Sequence, residues 1–444
     1  MLFILFSKNQ NVCIRDDAYK YILRGGNTVE TLLYVNIRGY KVERLKPIYA
    51  AKKLGYKITL LADKDPGLDK GLIDDLIIVD TYDIEASVQA SIEYAKNHSV
   101  AGVLTWADKD VELVARIGEE LGLRTINRES AKKARNKYLM RDALSQIEGL
   151  CPKYRHVLSF SDLQQAVKEV GIPGIFKPVG GAGSKGIFKI DENTNVEETY
   201  RLMLETTSPE EDKTFSYYPN EYIYEEYLEG PEVSIDGVVQ DHIVYMTGVA
   251  DNLVSEDYSL DYMEIFPSEK DDETIKEIKR STKTAVKELG FNDCSFHLEG
   301  RVTKEGFKML EVAARPAGGF IASHVIENAS GISYIEFIIK VAVGENIQDS
   351  WPEFDKISNQ SVCHYEVLAN EEGVITNIRG LDDVMEDEDV IFIIPVKQIN
   401  EEVVLPPKDF ESSYLATAII RGKGYSEVKK KIDRLENKLD YTIQ

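Results

Sequence analysis

The sequence has only four cysteines, and they are scattered along the chain without a C-x-x-C pair. Such spacing favours reduced, structural thiols over a disulfide framework or a cysteine-bound metal. Long apolar runs are missing too, since none approaches the ~20 residues that a membrane-spanning helix needs. The apolar residues 1–6 are few and lack a basic flank, which predicts a buried strand rather than a signal peptide. We therefore expect a cytoplasmic protein.

Basic residues are in deficit as well: 53 lysines and arginines face 76 acids, giving a net charge of −23. Nucleic acids and anionic membranes are bound through basic surfaces, so neither is an expected partner. A small anionic ligand is still compatible with this charge, because a few lysines and backbone N–H groups suffice to bind one. The hydrophobic fraction of 43% is that of a globular chain, and 444 residues suggest roughly three domains.

Up to about Leu123, short apolar runs alternate with helical patterns, which predicts βαβ units around a parallel sheet. No G-x-G-x-x-G sequence follows the first strand, so the dinucleotide-binding fingerprint is absent. Residues 7–40 match no pattern. Strands are predicted at 57–62, 75–80 and 101–106, and helices at 42–54, 84–97 and 110–121.

A basic segment follows, and it predicts one helix over residues 130–146 with Ser130 as its N-cap. A run of charges of this kind most often forms a solvated face, although one of its lysines could bind a phosphate. The sequence of the segment alone does not distinguish these two interpretations.

Residues 175–190 place two strand-like runs around a glycine-rich turn, residues 180–185. Glycines let backbone N–H groups approach an anion closely, and Lys177 alternates with Phe176, so its side chain could point toward that anion. The turn is not a P-loop, because no G-K-[ST] sequence leads into a helix. An ordinary flexible hairpin is the alternative, but the nearby lysines favour a phosphate site.

The apolar residues 222–230 end in acids beside a glycine and lead to Glu232. They are consistent with an edge strand. They are also consistent with a nucleotide hinge, in which backbone groups contact an adenine edge and a carboxylate accepts ribose hydroxyls. Nothing in the run itself decides between the two.

The most informative stretch is residues 296–319, which predicts a β-hairpin turning at residues 304–306. Facing residues of a hairpin lie side by side, so Glu299 and Glu311 would project into one space, with Arg315 just beyond. Mg²⁺ is commonly held by one or two carboxylates together with substrate phosphates, and arginine pairs with phosphate. A surface hairpin with two solvated acids is the alternative. The pattern therefore favours a site for a divalent cation and a phosphate.

From about Ser358 the sequence changes character. Strands are predicted at 363–368, 390–396 and 416–422, and a charged helix at 425–439. These elements suggest a separate small α+β unit, in which no catalytic or binding pattern is visible.

Taken in chain order, these segments resemble the ATP-grasp superfamily of carboxylate–amine ligases over nearly the whole chain. The resemblance rests on NRESAKKARNKYLMRDAL, IFKPVGGAGSKG, YIYEEYLEGPE and HLEGRV…LEVAARPAGG. It implies an α/β and α+β fold, in which an N-terminal parallel-sheet domain (1–125) precedes the two ATP-grasp subdomains (126–230 and 231–350). A small C-terminal α+β domain (351–444) would follow, as in members that resemble L-amino-acid ligases.

The resemblance also implies roles for individual residues. ATP would be bound by two lysines, the glycine loop and the acidic hinge: Lys137, Lys177, Gly180, Gly181, Gly183, Ser184, Gly186, Glu225, Tyr227, Leu228 and Glu232. Glu299 and Glu311 would hold the metal, and Arg315 and Glu264 are the candidate catalytic residues. The family often has an asparagine two positions after the second glutamate, where this chain has Ala313, which cannot ligate a metal. Glu264 or the phosphates would then supply the missing oxygen.

The activity implied is transfer of a phosphoryl group from ATP to a substrate carboxylate, followed by attack of an amine on the acyl phosphate. ADP and phosphate would be released, with ATP and two Mg²⁺ ions, or Mn²⁺ in their place, as the cofactors. The carboxylate and the amine would both come from small molecules such as amino acids, and the protein would be a homodimer. A ligase for a non-amino-acid carboxylate and an inactive nucleotide-binding protein are the alternatives. The joint presence of Lys177, the two glutamates and Arg315 disfavours the second.

Overall fold

The computed structural model of the chain describes residues 3–7, 10–14, 29–39, 41–69, 71–181, 183–255, 260–406, 408–409 and 411–444. Its first elements are β1 (Phe3–Ser7), β2 (Gln10–Ile14), β3 (Thr31–Val35), α1 (Lys41–Lys53), β4 (Lys57–Ala62), β5 (Asp75–Ile78), α2 (Ile84–Ala95), β6 (Val100–Thr105) and α3 (Val111–Leu121). The expected parallel sheet is present, with strand order β5-β4-β3-β6. Strands β1 and β2 pair with each other instead of joining it. The strand predicted for residues 1–6 corresponds to β1, and the burial of its side chains lies outside the description.

The basic segment forms two helices instead of one: α4 (Arg128–Arg135) and α5 (Lys137–Leu144). Asn136 separates them, because its backbone is extended and its side chain accepts a hydrogen bond from the Leu139 N–H as the N-cap of α5. Asn127, not Ser130, caps α4, since its side chain accepts the Ser130 N–H. The single helix and the Ser130 cap are therefore wrong predictions, because asparagine side chains compete with the helix for its backbone groups.

The next part contains a four-stranded antiparallel sheet. Its elements are β7 (Tyr154–Val157), α6 (Phe160–Val170), β8 (Gly174–Pro178), β9 (Phe188–Ile190), α7 (Val196–Thr206) and β10 (Tyr222–Glu226). The strand order is β7-β10-β8-β9, so the glycine-rich turn connects two neighbouring strands as predicted. Strand β10 pairs with β8, which brings Glu225 next to the strand that carries Lys177.

The remaining elements are β11 (Glu232–Gln240), β12 (Ile243–Val254), β13 (Asp261–Phe266), α8 (Asp272–Glu288), β14 (Cys294–Thr303), β15 (Gly306–Ala313), α9 (Ile326–Ser330), α10 (Tyr334–Ala342), α11 (Phe354–Ile357), β16 (Ser361–Leu368), β17 (Gly373–Arg379), α12 (Leu381–Met385), β18 (Val390–Pro395), β19 (Glu402–Val403), β20 (Tyr414–Gly422), α13 (Tyr425–Lys438) and β21 (Asp440–Ile443). Eight of these strands form one sheet of order β15-β14-β11-β12-β13-β16-β20-β18, and β19-β17-β21 form a small one. Within the described ranges, no helix has both the length and the apolar character needed to cross a membrane.

Three C-terminal strands, β16, β20 and β18, extend the large sheet, so the small C-terminal α+β unit that we expected shares a sheet with the rest of the molecule. Strand β16 pairs with β13 from Met263 opposite Tyr365 to Phe266 opposite Val362. The two strands also share one apolar core with Ile393 of β18. A strand edge presents a row of N–H and C=O groups that require partners, and β16 supplies them to β13.

The N-terminal sheet packs directly on the rest of the molecule. Leu32 and Tyr34 of β3 lie in one apolar core with Phe320 and with Ile338 of α10. A Cβ atom on Gly102 would lie only 2.6 Å from the Ala342 carbonyl oxygen, so glycine allows α10 to approach β6 closely. This packing brings the segment after β3 to the site described below.

Replacing Asn136 with alanine removes the cap of α5 and the hydrogen bond from Asn136 Nδ2 to Glu221 Oε1 (3.0 Å). We expect the N136A variant to lose about 1 kcal/mol in free energy of unfolding, as is typical of a lost N-cap. Urea denaturation would measure this loss. The control is Gln146→Ala, an exposed position just after the helix, which should change stability by less than about 0.5 kcal/mol. Equal stability of the two variants would contradict the capping role.

Candidate functional site

A cavity of about 1010 Å³ lies between the four-stranded antiparallel sheet, β7-β10-β8-β9, and the eight-stranded sheet. Every part of the chain contributes to its lining, from Arg38 in the N-terminal part to Tyr414 near the C-terminus. The structure brings together most of the predicted site residues here: Lys137, Lys177, Gly181, Gly183, Ser184, Glu225, Tyr227, Leu228, Glu232, Glu264, Glu299, Glu311 and Arg315.

Gly180 and Gly186 were predicted to contact a phosphate, but they do not line the cavity. A Cβ atom on Gly180 would lie 2.6 Å from the Tyr218 ring, and Gly186 has a φ of +73° that favours glycine. Both therefore set the conformation of the loop. Lys185 holds the same loop, since its Nζ lies 2.9 Å from Asp212 Oδ2.

The β14–β15 hairpin places Glu299 and Glu311 directly opposite each other. Their side chains are 25% and 26% exposed and both line the cavity. Their neighbours Leu298 and Val312 are buried in the apolar core on the other face, as strand alternation requires. The two carboxylates thus reach the same space.

Lys137 contacts this hairpin from the side of the glycine loop. Its Nζ lies 2.8 Å from Glu311 Oε2 and donates a hydrogen bond to the Gly181 carbonyl oxygen (2.9 Å). Its backbone N–H donates to the Val179 carbonyl oxygen (2.9 Å), which ties the start of α5 to the loop. Burial alone would raise the pKa of Glu311, but Lys137, with two further cations nearby, lowers it to about 2. Glu311 is therefore ionised.

His297 fixes the orientation of Glu299. Its Nε2 lies 3.1 Å from Glu299 Oε1, and its Nδ1 lies 3.0 Å from Asp236 Oδ2. Burial alone would lower the pKa of His297, but Asp236 and Glu299 raise it to about 10. A protonated imidazole donates from both ring nitrogens, so it holds both carboxylates. Asp236 in turn accepts a hydrogen bond from the Ala317 N–H (2.9 Å).

Lys177 and Arg141 share the carboxylate of Glu225. Lys177 Nζ lies 2.6 Å from Glu225 Oε2, and Arg141 Nε donates to Glu225 Oε1 at 2.6 Å. Burial alone would raise the pKa of Glu225, but the two cations lower it. Both carboxylate oxygens are occupied, so the Glu225 side chain orients Lys177, and a contact with a base would have to come from its backbone.

Arg301 organises the predicted hinge. It donates from Nη2 to Glu232 Oε2 (3.1 Å) and from Nη1 to the Leu228 carbonyl oxygen (2.8 Å). Its guanidinium also lies 5.5 Å from the centre of the Tyr227 ring. Burial and the neighbouring Glu299 raise the pKa of Glu232 to about 7, although Arg301 opposes this shift. Glu232 therefore changes charge near neutral pH.

Two arginines that are distant in sequence meet in the cavity wall. Arg315 Nε lies 3.6 Å from Asp108 Oδ1. Arg38 donates to two carbonyl oxygens of the segment just after Arg315 (2.8 and 2.9 Å) and lies 3.4 Å from Glu43. Sequence reasoning missed Arg38 and Glu43, because the residues around Arg38 matched no pattern and only the tertiary packing brings them here.

Glu264 lines the cavity beside two residues that were also missed, His364 and Glu366 of β16. His364 lies opposite Glu264 in the strand register, and its Nδ1 is 3.5 Å from Glu264 Oε2. His364 Nε2 lies 2.9 Å from Glu366 Oε1. Residues two apart on a strand share a face, so the sequence carried this signal. Only the pairing of β16 with β13 shows that the face belongs to the site.

The carboxylates suit a magnesium ion that is completed by a substrate. In the part of the chain that the structure describes, no group of three or more His, Cys, Asp or Glu side chains is arranged to hold a metal by itself. Two facing carboxylates are the donor set that Mg²⁺ uses together with phosphates and water. Ala313 lies opposite His297 and has no side-chain oxygen. Asp261 also lines the cavity, where burial and the neighbouring Glu299 raise its pKa.

Comparison with known proteins gives two family-model matches, an ATP-grasp N-terminal domain over residues 48–125 and an ATP-grasp domain over residues 170–324. Alanine–anticapsin ligase of Bacillus subtilis (strain 168) is 26% identical over 273 residues, which cover 58% of this chain. The match spans 57% of the length of that relative.

Two solved structures share the architecture over nearly the whole chain. An L-amino acid ligase from Bacillus licheniformis has a TM-score of 0.82 and 19% identity, covering 94% of this chain and 100% of that chain. The biotin carboxylase domain of Hydrogenobacter thermophilus 2-oxoglutarate carboxylase, solved with MgADP, has a TM-score of 0.67 and 16% identity, covering 94% and 92%. The two domain matches show that the chain belongs to the ATP-grasp superfamily, and the common architecture shows the ATP-grasp fold over nearly the whole chain.

Proposed function

We propose that the protein is an ATP-dependent ligase that joins the carboxylate of an amino acid to an amine, with a second amino acid as the amine donor. The reaction would pass through an acyl phosphate and release ADP and phosphate. The observation that carries the proposal is the convergence of two lysines, the glycine loop, two facing carboxylates and an arginine on one cavity. The relative named as an alanine–anticapsin ligase supports the substrate class.

The triphosphate of ATP would bind between the glycine loop and the hairpin. Lys137 and Lys177 would neutralise its charge, and the backbone N–H groups of Gly181, Gly183 and Ser184 would approach its oxygens. The Lys137 ammonium contacts Glu311, and with both ligands bound Lys137 would pair with the triphosphate and Glu311 would hold a divalent cation. Exchange of partners of this kind leaves no buried charge unmatched.

The nucleoside would bind at the hinge. Tyr227 and Leu228 would contact the base, and Glu232 would accept hydrogen bonds from the ribose hydroxyls. Glu225 would act through Lys177, whose ammonium it holds. Because Arg301 fixes Glu232 and Leu228 together, the hinge would need little rearrangement when the nucleotide binds.

Glu299 and Glu311 would hold Mg²⁺, and Mn²⁺ would accept the same carboxylate donors. When bound, the ion would offset the negative charge that accumulates on the phosphates. A second ion would rely on the phosphates, because Ala313 has no side-chain oxygen and Glu264 lies beside His364. His297 would keep Glu299 oriented for this task.

In the first step, a substrate carboxylate oxygen attacks the γ-phosphorus and the bond to the bridging oxygen breaks, so ADP leaves. In the second, the lone pair of the amine attacks the acyl carbon, its C–O bond breaks, phosphate leaves and the amine loses a proton. Arg315 would stabilise the acyl phosphate and the oxyanion formed on amine attack, as fixed cationic donors do. The glycine loop would exclude water from this intermediate.

We also propose a cytoplasmic location and a two-fold homodimer. The cytoplasmic location is supported by the need for ATP and by cysteines that are scattered and expected to be reduced. The frequency of two-fold symmetry among soluble proteins supports the homodimer, and sedimentation equilibrium would test it.

The direct test is incubation of the protein with ATP, Mg²⁺ and pooled amino acids, followed by mass analysis of the products. We expect ADP, phosphate and a new dipeptide mass, and removal of single amino acids would then identify the substrates. AMP and pyrophosphate would contradict the acyl-phosphate mechanism. ADP formed only with other carboxylic acids would favour the alternative ligase.

The Glu311→Gln variant should abolish turnover while leaving the fold intact, because it removes one of the two carboxylates that would hold the metal. ADP release would be measured beside thermal unfolding. Glu305→Gln, an exposed acid of the same hairpin, is the matched control and should retain activity. Near-normal ADP release by the Glu311 variant would rule out the metal assignment.

Nucleotide binding should weaken as the pH falls below about 7, because Glu232, whose pKa burial raises to about 7, accepts both ribose hydroxyls only when ionised. The Glu232→Gln variant should bind ADP less tightly and with a flatter pH dependence. Calorimetric titration with ADP across neutral pH would measure both. Glu229→Gln, exposed on the same hinge, is the control for the lost charge. A pH dependence that is equal in the Glu232 variant and the wild type would contradict the ribose assignment.

A further inference from the structure

One carboxylate in the cavity wall has no part in the reaction proposed above. Glu366 is 7% exposed and lines the cavity. Its Oε1 accepts a hydrogen bond from His364 Nε2 (2.9 Å), whereas its buried Oε2 has no hydrogen-bond partner among the described residues. A buried carboxylate oxygen without a donor is costly. This atom therefore indicates where a ligand supplies a donor.

His364 stands between Glu366 and Glu264. Its Nδ1 is 3.5 Å from Glu264 Oε2 without a hydrogen bond, and its Nε2 also lies 3.1 Å from Thr417 Oγ1. Burial alone would lower the pKa of His364, but the two carboxylates raise it to about 10. The ring can carry at most one positive charge and lies against two carboxylates, so at least one negative charge in this group is unmatched whatever the protonation state of His364.

The residues around Glu366 and Glu264 leave the unmatched negative charge accessible from the cavity. Arg38 of the cavity wall is already paired with Glu43, since its Nε lies 3.4 Å from Glu43 Oε1. A Cβ atom on Gly319 would lie 3.0 Å from His364 Cε1 and 3.2 Å from Glu264 Oε2. Any side chain at position 319 would therefore crowd the approach to the two carboxylates, and glycine leaves it free.

We propose that Glu366 and Glu264 bind the ammonium group of the substrate whose carboxylate is phosphorylated, which makes that substrate an amino acid. The inference rests on the proposed ligase function and adds a binding residue from the C-terminal strand β16. An ammonium group carries three hydrogen-bond donors and the positive charge that offsets the unmatched carboxylate. A neutral hydroxyl would supply a donor without the charge.

The chemistry of amines decides which substrate lies here. Nearby carboxylates stabilise the protonated form of an amine. A protonated amine has no lone pair with which to attack the acyl phosphate, so the group bound at Glu366 is not the nucleophile. The site keeps the amine of the carboxylate donor from competing with the second substrate. The amino acid held here therefore contributes the carbonyl carbon of the product.

The test compares the wild type with the Glu366→Gln variant, which keeps an acceptor for His364 but loses the charge. Hydroxylamine replaces the amine substrate and traps the acyl phosphate as a hydroxamate, so the assay reports on the carboxylate substrate alone. The probes are single L-amino acids and the desamino carboxylic acids of the same carbon skeletons. The variant should raise KM for the amino acid about tenfold or more, the loss expected for a charged hydrogen bond. KM for ATP and for the desamino acid should not change.

The matched control is Glu401→Gln, an exposed acid of the same cavity wall, which should leave every KM unchanged. An unaltered KM for the amino acid in the Glu366 variant would overturn the proposal. Equal use of amino acids and desamino acids by the wild type would also overturn it. The second comparison needs no variant, so it stands even if Glu366→Gln does not fold.

A binding measurement separates this inference from the ligase proposal. The thermal unfolding midpoint is recorded with MgADP and either a pool of L-amino acids or a pool of their desamino acids. If no ADP or hydroxamate forms with any probe, the ligase proposal fails. A rise in midpoint with the amino-acid pool alone, lost in Glu366→Gln, would still support the ammonium site. The absence of such a rise in the wild type would overturn it.

Discussion

The site depends on one electrostatic constraint, which is that the two lysines buried beside the glycine loop are each paired with a carboxylate of the chain itself. Lys137 lies against Glu311 at 2.8 Å, and Lys177 lies against Glu225 at 2.6 Å. An isolated charge in such a place would cost several kcal/mol, so these pairs hold the cavity in its assembled form. These lysines and carboxylates therefore position one another.

The same pairs also join parts of the chain that are far apart in sequence. Lys137 connects α5 to the hairpin, and Arg38 connects the segment after β3 to the carbonyl groups behind Arg315. His364 connects β16 to Glu264 on β13. The cavity thus lies where several layers of the fold meet, and its geometry depends on the packing of all of them.

Local patterns account for what could be predicted from the sequence. Alternation and turn residues were enough for the strand Lys57–Ala62 and for the facing positions of Glu299 and Glu311, because hairpin register is set within a few residues. The break at Asn136 was not predictable, since the contact from Lys137 to Val179 is distant in sequence. The pairing of β16 with β13 was missed for the same reason. The positions of His364 and Glu366 in the cavity lining were therefore missed as well. The order of the motifs was enough to indicate the family, whereas the contribution of His364 and Glu366 to the cavity became visible only in the structure.

The continuous eight-stranded sheet limits how this molecule can be divided. Cutting the chain before β16 would uncover the backbone edge of β13 together with apolar side chains such as Met263 and Ile265. An open edge of this kind recruits other strands, so the shortened protein would tend to aggregate. The C-terminal residues are thus no detachable module. Any chimaera that replaces them with the corresponding part of a relative, in order to exchange substrate specificity, would have to preserve the pairing of β13 with β16.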